Sequence, residues 1–170
     1  MNKKDTVVFD LDGTLLDTLE DLKNSVNYAM TQCGYPEHTL DEVRRYVGNG
    51  ILLLMQRAIP GGKDDPNFDK AFTLFKEHYG KHCNDTTKPY AGIMELLHTL
   101  KENNIKIAIV SNKADFAVKE LNAIYFKDLI PVAIGEKESE GIRKKPAPDT
   151  VIEALKQLGS TAENSVYIGD

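Results

Sequence analysis

The sequence predicts an α/β protein in which a parallel-sheet core is interrupted by an all-helical block. Three observations carry this. Four short apolar runs, Thr6–Phe9, Ile105–Val110, Val132–Ile134 and Val166–Ile168, are bounded by polar or turn residues. Each is too short for a helix and reads as a strand buried on both faces, as in a parallel sheet. Helical stripes fill the gaps between the later runs, and strand–helix alternation of this kind implies right-handed crossovers. Between the first and second runs, residues 16–86 show helical periodicity only.

Taken in order, the first strand ends at Asp10. In the helical block, Leu19, Leu22, Val26, Ala29, Met30 and Cys33 recur at helical spacing and stop at Gly34 and Pro36. Thr39-Leu-Asp-Glu42 is a capping-box signature for a second helix. Gly48-Asn-Gly50 breaks the chain before the apolar stretch Ile51–Ile59. Pro60-Gly-Gly62 and Asp64-Asp-Pro66 mark a loop, and Phe68, Phe72, Phe75 and Tyr79 form a last stripe. Beyond the block, Leu96, Leu97 and Leu100 make one core-facing stripe, and Ala117, Val118 and Leu121 a second. Val151, Ile152, Leu155 and Leu158 make a third, with Gly159 as its stop. The expected organisation is a core of residues 1–15 and 87–170 with residues 16–86 as an inserted subdomain.

Composition narrows the function class. The 170 residues are 41% hydrophobic and 28% charged, an ordinary globular balance. Net charge is −5, from 21 Lys and Arg against 26 Asp and Glu. That balance argues against general nucleic-acid binding, which relies on clustered positive charge. It leaves room for a local basic pocket that takes a phosphorylated substrate. Cys33 and Cys83 stand in no metal-ligand or redox spacing and suit a reducing cytosol. The apolar run in MNKKDTVVFD is too short for a signal peptide, and no window reaches membrane-span length, so a cytoplasmic protein is expected. His78 and His82 lie four apart on a helix without a further ligand in the pattern, and are expected as solvated residues rather than a zinc pair. Glu136, Glu138 and Glu140 read as a solvated loop.

The chemistry concentrates in VVFDLDGTLLDT, residues 7–18. Asp10 and Asp12 fall on the same side of a strand's C-terminal edge, where open α/β sheets bind ligands. Gly13 permits a tight turn that faces main-chain N–H groups toward an anion. A helix N-cap accounts for one of these aspartates but not for the string.

Asp10-Leu-Asp12-Gly-Thr-Leu-Leu-Asp17-Thr resembles motif I of the haloacid dehalogenase-like hydrolases. The family's other motifs follow in order. Ser111-Asn112-Lys113, after Ile107–Val110, resembles motif II. Lys144-Lys145-Pro-Ala-Pro-Asp149 resembles motif III, with Lys145 as its lysine. Val166-Tyr-Ile-Gly169-Asp170 resembles the opening of motif IV. The resemblance implies a Rossmann-like parallel sheet core, with the inserted helices as a C1 cap. It further implies that Asp10 attacks phosphorus and Asp12 serves as acid and then base. Ser111, Asn112 and Lys145 hold the phosphoryl group, and Asp10, Asp12 and Asp170 ligate Mg²⁺. Asp17 shapes the entry to the cap.

Arg44-Arg-Tyr-Val-Gly48-Asn-Gly50 resembles the cap segment of phosphoglycolate phosphatases. Arg45 is the expected contact for a substrate carboxylate, since a guanidinium recognises it bidentately. The expected activity is therefore Mg²⁺-dependent hydrolysis of a small phosphorylated metabolite, phosphoglycolate foremost. A pyrophosphatase or a β-phosphoglucomutase-like phosphotransferase is the alternative within the family, and a non-catalytic phospho-ligand-binding relative the alternative outside it. The family continues past the opening of motif IV with a second acidic residue, a strand and a helix, so a chain truncated after Asp170 is expected.

Overall fold

The computed structural model describes residues 4–169. Its elements are β1 (Thr6–Phe9), β2 (Leu16–Asp17), α1 (Leu19–Gln32), α2 (Leu40–Tyr46), α3 (Ile51–Ala58), α4 (Phe68–His82), β3 (Lys88–Pro89), α5 (Ile93–Glu102), β4 (Lys106–Ala114), α6 (Asp115–Tyr125), β5 (Val132–Glu136), α7 (Asp149–Leu158) and β6 (Ser165–Ile168). They fall into two compact units, one running to Asp17 and resuming at Pro89, the other Thr18–Lys88.

The first unit is built on a parallel sheet in the order β5-β4-β1-β6. β1 lies inside it, with Val8 opposite Ala108 on one side and Tyr167 on the other. Successive side chains point to opposite faces of a strand. Phe9, Ile107 and Ile109 accordingly pack with Leu97 of α5 and Val118 and Leu121 of α6. Val8, Ala108, Val110, Val132 and Ile134 pack with Ala154 and Leu155 of α7. Both faces need apolar residues, which is why these strands read as unbroken runs. Fully burying a side chain such as Phe9 or Leu121 contributes about 1.5–3 kcal/mol. Gly159 closes α7 at φ 62°, a left-handed position that a glycine takes without steric cost.

The short strands β2 and β3 have no counterpart in the sequence reading, β5 runs two residues past Ile134, and β4 and β6 depart from it further. β4 does not stop at Val110 but continues through Ala114, with a register shift against β5 between those residues. Polar residues end an apolar pattern without ending the pairing, because a buried strand can carry polar side chains toward a site. β6 is not buried on both faces: Val166, Tyr167 and Ile168 are 41–43% exposed. Among the described residues β6 is an edge strand, paired with β1 alone.

The second unit has its own core of Leu22, Val26, Met30, Val43, Met55 and Phe75 with their neighbours. The capping box forms as its sequence predicts, with the Thr39 side chain accepting from the Glu42 N–H and Glu42 accepting from the Thr39 N–H. On α4 the Phe75 and Tyr79 rings stack at 5.5 Å. Asp21, buried near the start of α1, accepts from the N–H and hydroxyl of both Thr86 and Thr87. His78 is half-buried, whereas the His82 side chain is 45% exposed. Their rings stack at 4.3 Å, His78 bonds Ser25 at 2.9 Å, and His82 bonds Asp85 at 2.7 Å. Burial, with His82 alongside, holds His78 below the usual histidine range.

Candidate active site

Asp10 leaves β1 with its N–H donating to the Ile168 carbonyl at 2.8 Å, so β1 and β6 jointly fix its backbone. Its side chain accepts from the Leu11 N–H at 2.7 Å, and its second oxygen lies 3.0 Å from Lys145 Nζ. Burial raises the Asp10 carboxyl above the ordinary aspartate range, and Lys145 offsets this only in part. After Asp10 the chain turns tightly: Leu15 and Leu16 donate to the Leu11 carbonyl, and Gly13, at φ 78°, donates to that of Leu16.

β4 delivers the second group of residues. Ser111, Asn112 and Lys113 are all buried where the strand shifts register. The Asn112 side chain bonds the Lys145 backbone twice, accepting from its N–H at 2.9 Å and donating to its carbonyl at 3.0 Å. This amide is what seats Lys145 beside Asp10. Lys145 Nζ also donates to the Tyr167 hydroxyl at 2.6 Å. Of the adjacent lysines, Lys144 instead pairs with Glu138 at 3.0 Å, and Glu138 stays exposed on its loop as expected. Ser111 Oγ accepts from the Lys113 N–H at 3.2 Å.

The structure thus joins Asp10, Asn112 and Lys145, with Ser111 on the same strand as Asn112. Arg45 sits exposed in the last turn of α2, in the other unit. Asp170, the expected metal ligand, lies outside the described residues. Sequence reasoning passed over two residues. Tyr167 offered no signal beyond its place in the apolar run. Lys113 did: a lysine directly after Ser-Asn is adjacent to the phosphate-binding motif. Its Nζ lies 2.9 and 3.1 Å from the two Asp12 oxygens.

The donor set suits a hard cation. Asp10 and Asp12 offer oxygen only, the preference of Mg²⁺, which keeps several waters and needs few protein ligands. Among the described residues no three His, Cys, Asp or Glu side chains gather, which sets this edge apart from a closed zinc site.

A profile of the haloacid dehalogenase-like hydrolases matches residues 7–170. The chain belongs to that family. Among curated haloacid dehalogenase-like relatives, the phosphoglycolate phosphatase of Pseudomonas putida is 31% identical over 170 residues, covering 96% of this chain and 61% of that protein. The phosphoglycolate phosphatase of Aquifex aeolicus is 32% identical over 168 residues, covering 96% of this chain and 75% of that protein. The chain therefore spans about three-fifths to three-quarters of the length of these relatives. In crystal structures the same fold appears in a Lactobacillus delbrueckii subsp. bulgaricus protein provisionally named a phosphoglycolate phosphatase. Its TM-score is 0.88 at 34% identity, covering 99% of this chain and 79% of that one. No helix among the described residues is long and apolar enough to cross a membrane.

Proposed function

We propose that this chain hydrolyses a small phosphomonoester, with phosphoglycolate the first candidate, through an aspartyl-phosphate on Asp10. The observation that carries the reading is the pairing of a partly buried, strand-end Asp10 with Lys145 at 3.0 Å, with Asp12 two residues on. A phosphomonoester dianion repels a carboxylate nucleophile, so attack requires cationic groups at the reacting centre. Lys145 supplies one. In the first step an Asp10 oxygen bonds to phosphorus as the ester P–O bond breaks, and Asp12 gives its proton to the leaving alkoxide. In the second, Asp12 takes a proton from water, whose oxygen displaces Asp10 and releases phosphate. Ser111 offers its hydroxyl to the phosphoryl oxygens. Asn112, whose side chain is engaged on Lys145, contributes there through its main chain.

Asp10, the Asp12 carbonyl and Asp170 are the proposed Mg²⁺ ligands. When bound, the cation neutralises phosphoryl charge and fixes the line of attack. Residues 16–86 are the proposed C1 cap, two residues off the Thr18–Lys88 bounds of the compact unit at each end, and the Arg45 guanidinium is the proposed partner of a substrate carboxylate. Cys33 and Cys83 are free thiols, which supports a reducing, cytoplasmic setting.

The test is phosphate release by the full chain with Mg²⁺ from 2-phosphoglycolate, hexose phosphates, pyrophosphate and p-nitrophenyl phosphate. We expect 2-phosphoglycolate among the best, with turnover falling about 10³-fold or more in both Asp10→Asn and Asp12→Asn. Release from none of them sinks the hydrolase reading, and 2-phosphoglycolate among the poorest sinks the substrate assignment.

A further inference from the structure

Lys113 is an unusual place for a charge. Its side chain is 2% exposed, yet it sits on a central strand of the sheet, and its ammonium contacts both oxygens of Asp12 at 2.9 and 3.1 Å. Burying an ion pair is costly, and replacing such a pair with apolar residues of similar volume is often neutral or stabilising. Stability alone is therefore a poor reason for a lysine here.

Its placement is held from two sides. The Lys113 N–H donates to Ser111 Oγ. On the β5 side, a Cβ on Gly135 would come within 2.6 Å of the Lys113 carbonyl oxygen and 2.4 Å of the Asp115 Cα, so only glycine allows the two backbones to approach this closely. The two site lysines also divide their work. Lys145 stands against Asp10, and Lys113 against Asp12.

We propose that Lys113 is the positioning residue for Asp12. It rests on the hydrolase reading above, in which Asp12 exchanges protons with the leaving group and with water. A carboxylate turns freely about its last bond. An ammonium bound to both oxygens fixes the plane of the group, leaving the outer lone pairs aimed at a constant direction. Proton transfer needs heavy atoms within hydrogen-bond reach, and small misplacements lower rates steeply.

The test compares two esters on the full chain with Mg²⁺. An alkyl phosphate such as 2-phosphoglycolate needs a proton on its leaving oxygen, whereas p-nitrophenolate leaves without one. Because kcat/KM reports the steps through the first irreversible one, it isolates transfer to Asp10. For Lys113→Met we expect kcat/KM on the alkyl ester to fall about 10–100-fold, and on the aryl ester by no more than about threefold. Lys113→Arg keeps the charge and should recover part of the alkyl loss; it also carries the comparison if the methionine variant does not fold. Equal losses on both esters, or an unchanged alkyl value, overturn the proposal. A thermal double-mutant cycle with Asp12→Asn reads the contact without activity: non-additive Tm shifts are expected, and additive shifts overturn the clamp even in an inactive protein. A wild-type chain that cleaves neither ester defeats the hydrolase reading instead.

Discussion

The place of Asp10 disfavours a carboxylate charge, because burial outweighs the Lys145 contact. The sign of the consequence is fixed. A carboxyl whose folded pKa lies above its unfolded one stabilises the fold when protonated, and that stabilisation is lost as pH rises through the folded value. At neutral pH with Mg²⁺ removed, Asp10→Asn should therefore raise Tm, by about 1–4 °C for a chain of this size, while phosphate release disappears. A scanning-fluorimetry Tm equal to or below wild type would contradict this. Legibility at the residue scale follows the same physics. Asp10, Asp12 and Lys145 were readable because a motif ties charged types to the ends of strands. Lys113 was not assigned a role because a lysine in a polar tripeptide looks the same whether it faces solvent or a buried carboxylate. Only the extension of β4 through Ala114 brings it inside.

Among elements, the strands and helices were readable wherever one face or both met a core, since apolar spacing is what burial requires. The tie between α1 and the segment after α4 was not. Asp21 shows no periodicity, and its partners Thr86 and Thr87 lie 65 and 66 residues away. Although burial opposes its charge, four donor groups hold the Asp21 carboxyl below the ordinary range. A lowered folded pKa gives stability that is present above the unfolded value and is lost as pH falls through the folded one. Asp21→Asn should cost about 1–3 kcal/mol in urea melts at pH 7, because it leaves donors of Thr86 and Thr87 without their acceptor. The gap to wild type should narrow as pH drops below about 4. A gap that is constant from pH 7 to pH 3 would show that the Asp21 charge plays no part. β4 and β6 mark the limits of element reading. An apolar run fixes neither the length of a strand that carries polar side chains inward nor the number of neighbours beside it.

At the scale of the molecule, two cores divide the chain, and each unit answers to its own. Phe75 is fully buried in the core of Thr18–Lys88. Phe75→Ala should remove about 3–5 kcal/mol from that unit. Amide hydrogen exchange should accelerate across residues 18–88 while β1, β4 and β5 keep most of their protection. Equal acceleration in both units would mean that they unfold as one. The position of β1 has a consequence of another kind. It leaves the ribosome before the rest of its sheet, and its partners β4 and β6 lie about a hundred and about a hundred and sixty residues downstream. The helical unit is contiguous in sequence and can close while β1 still waits. Until β4 emerges, then, the strand that ends in Asp10 is an unpaired apolar edge that its own sheet cannot yet shield.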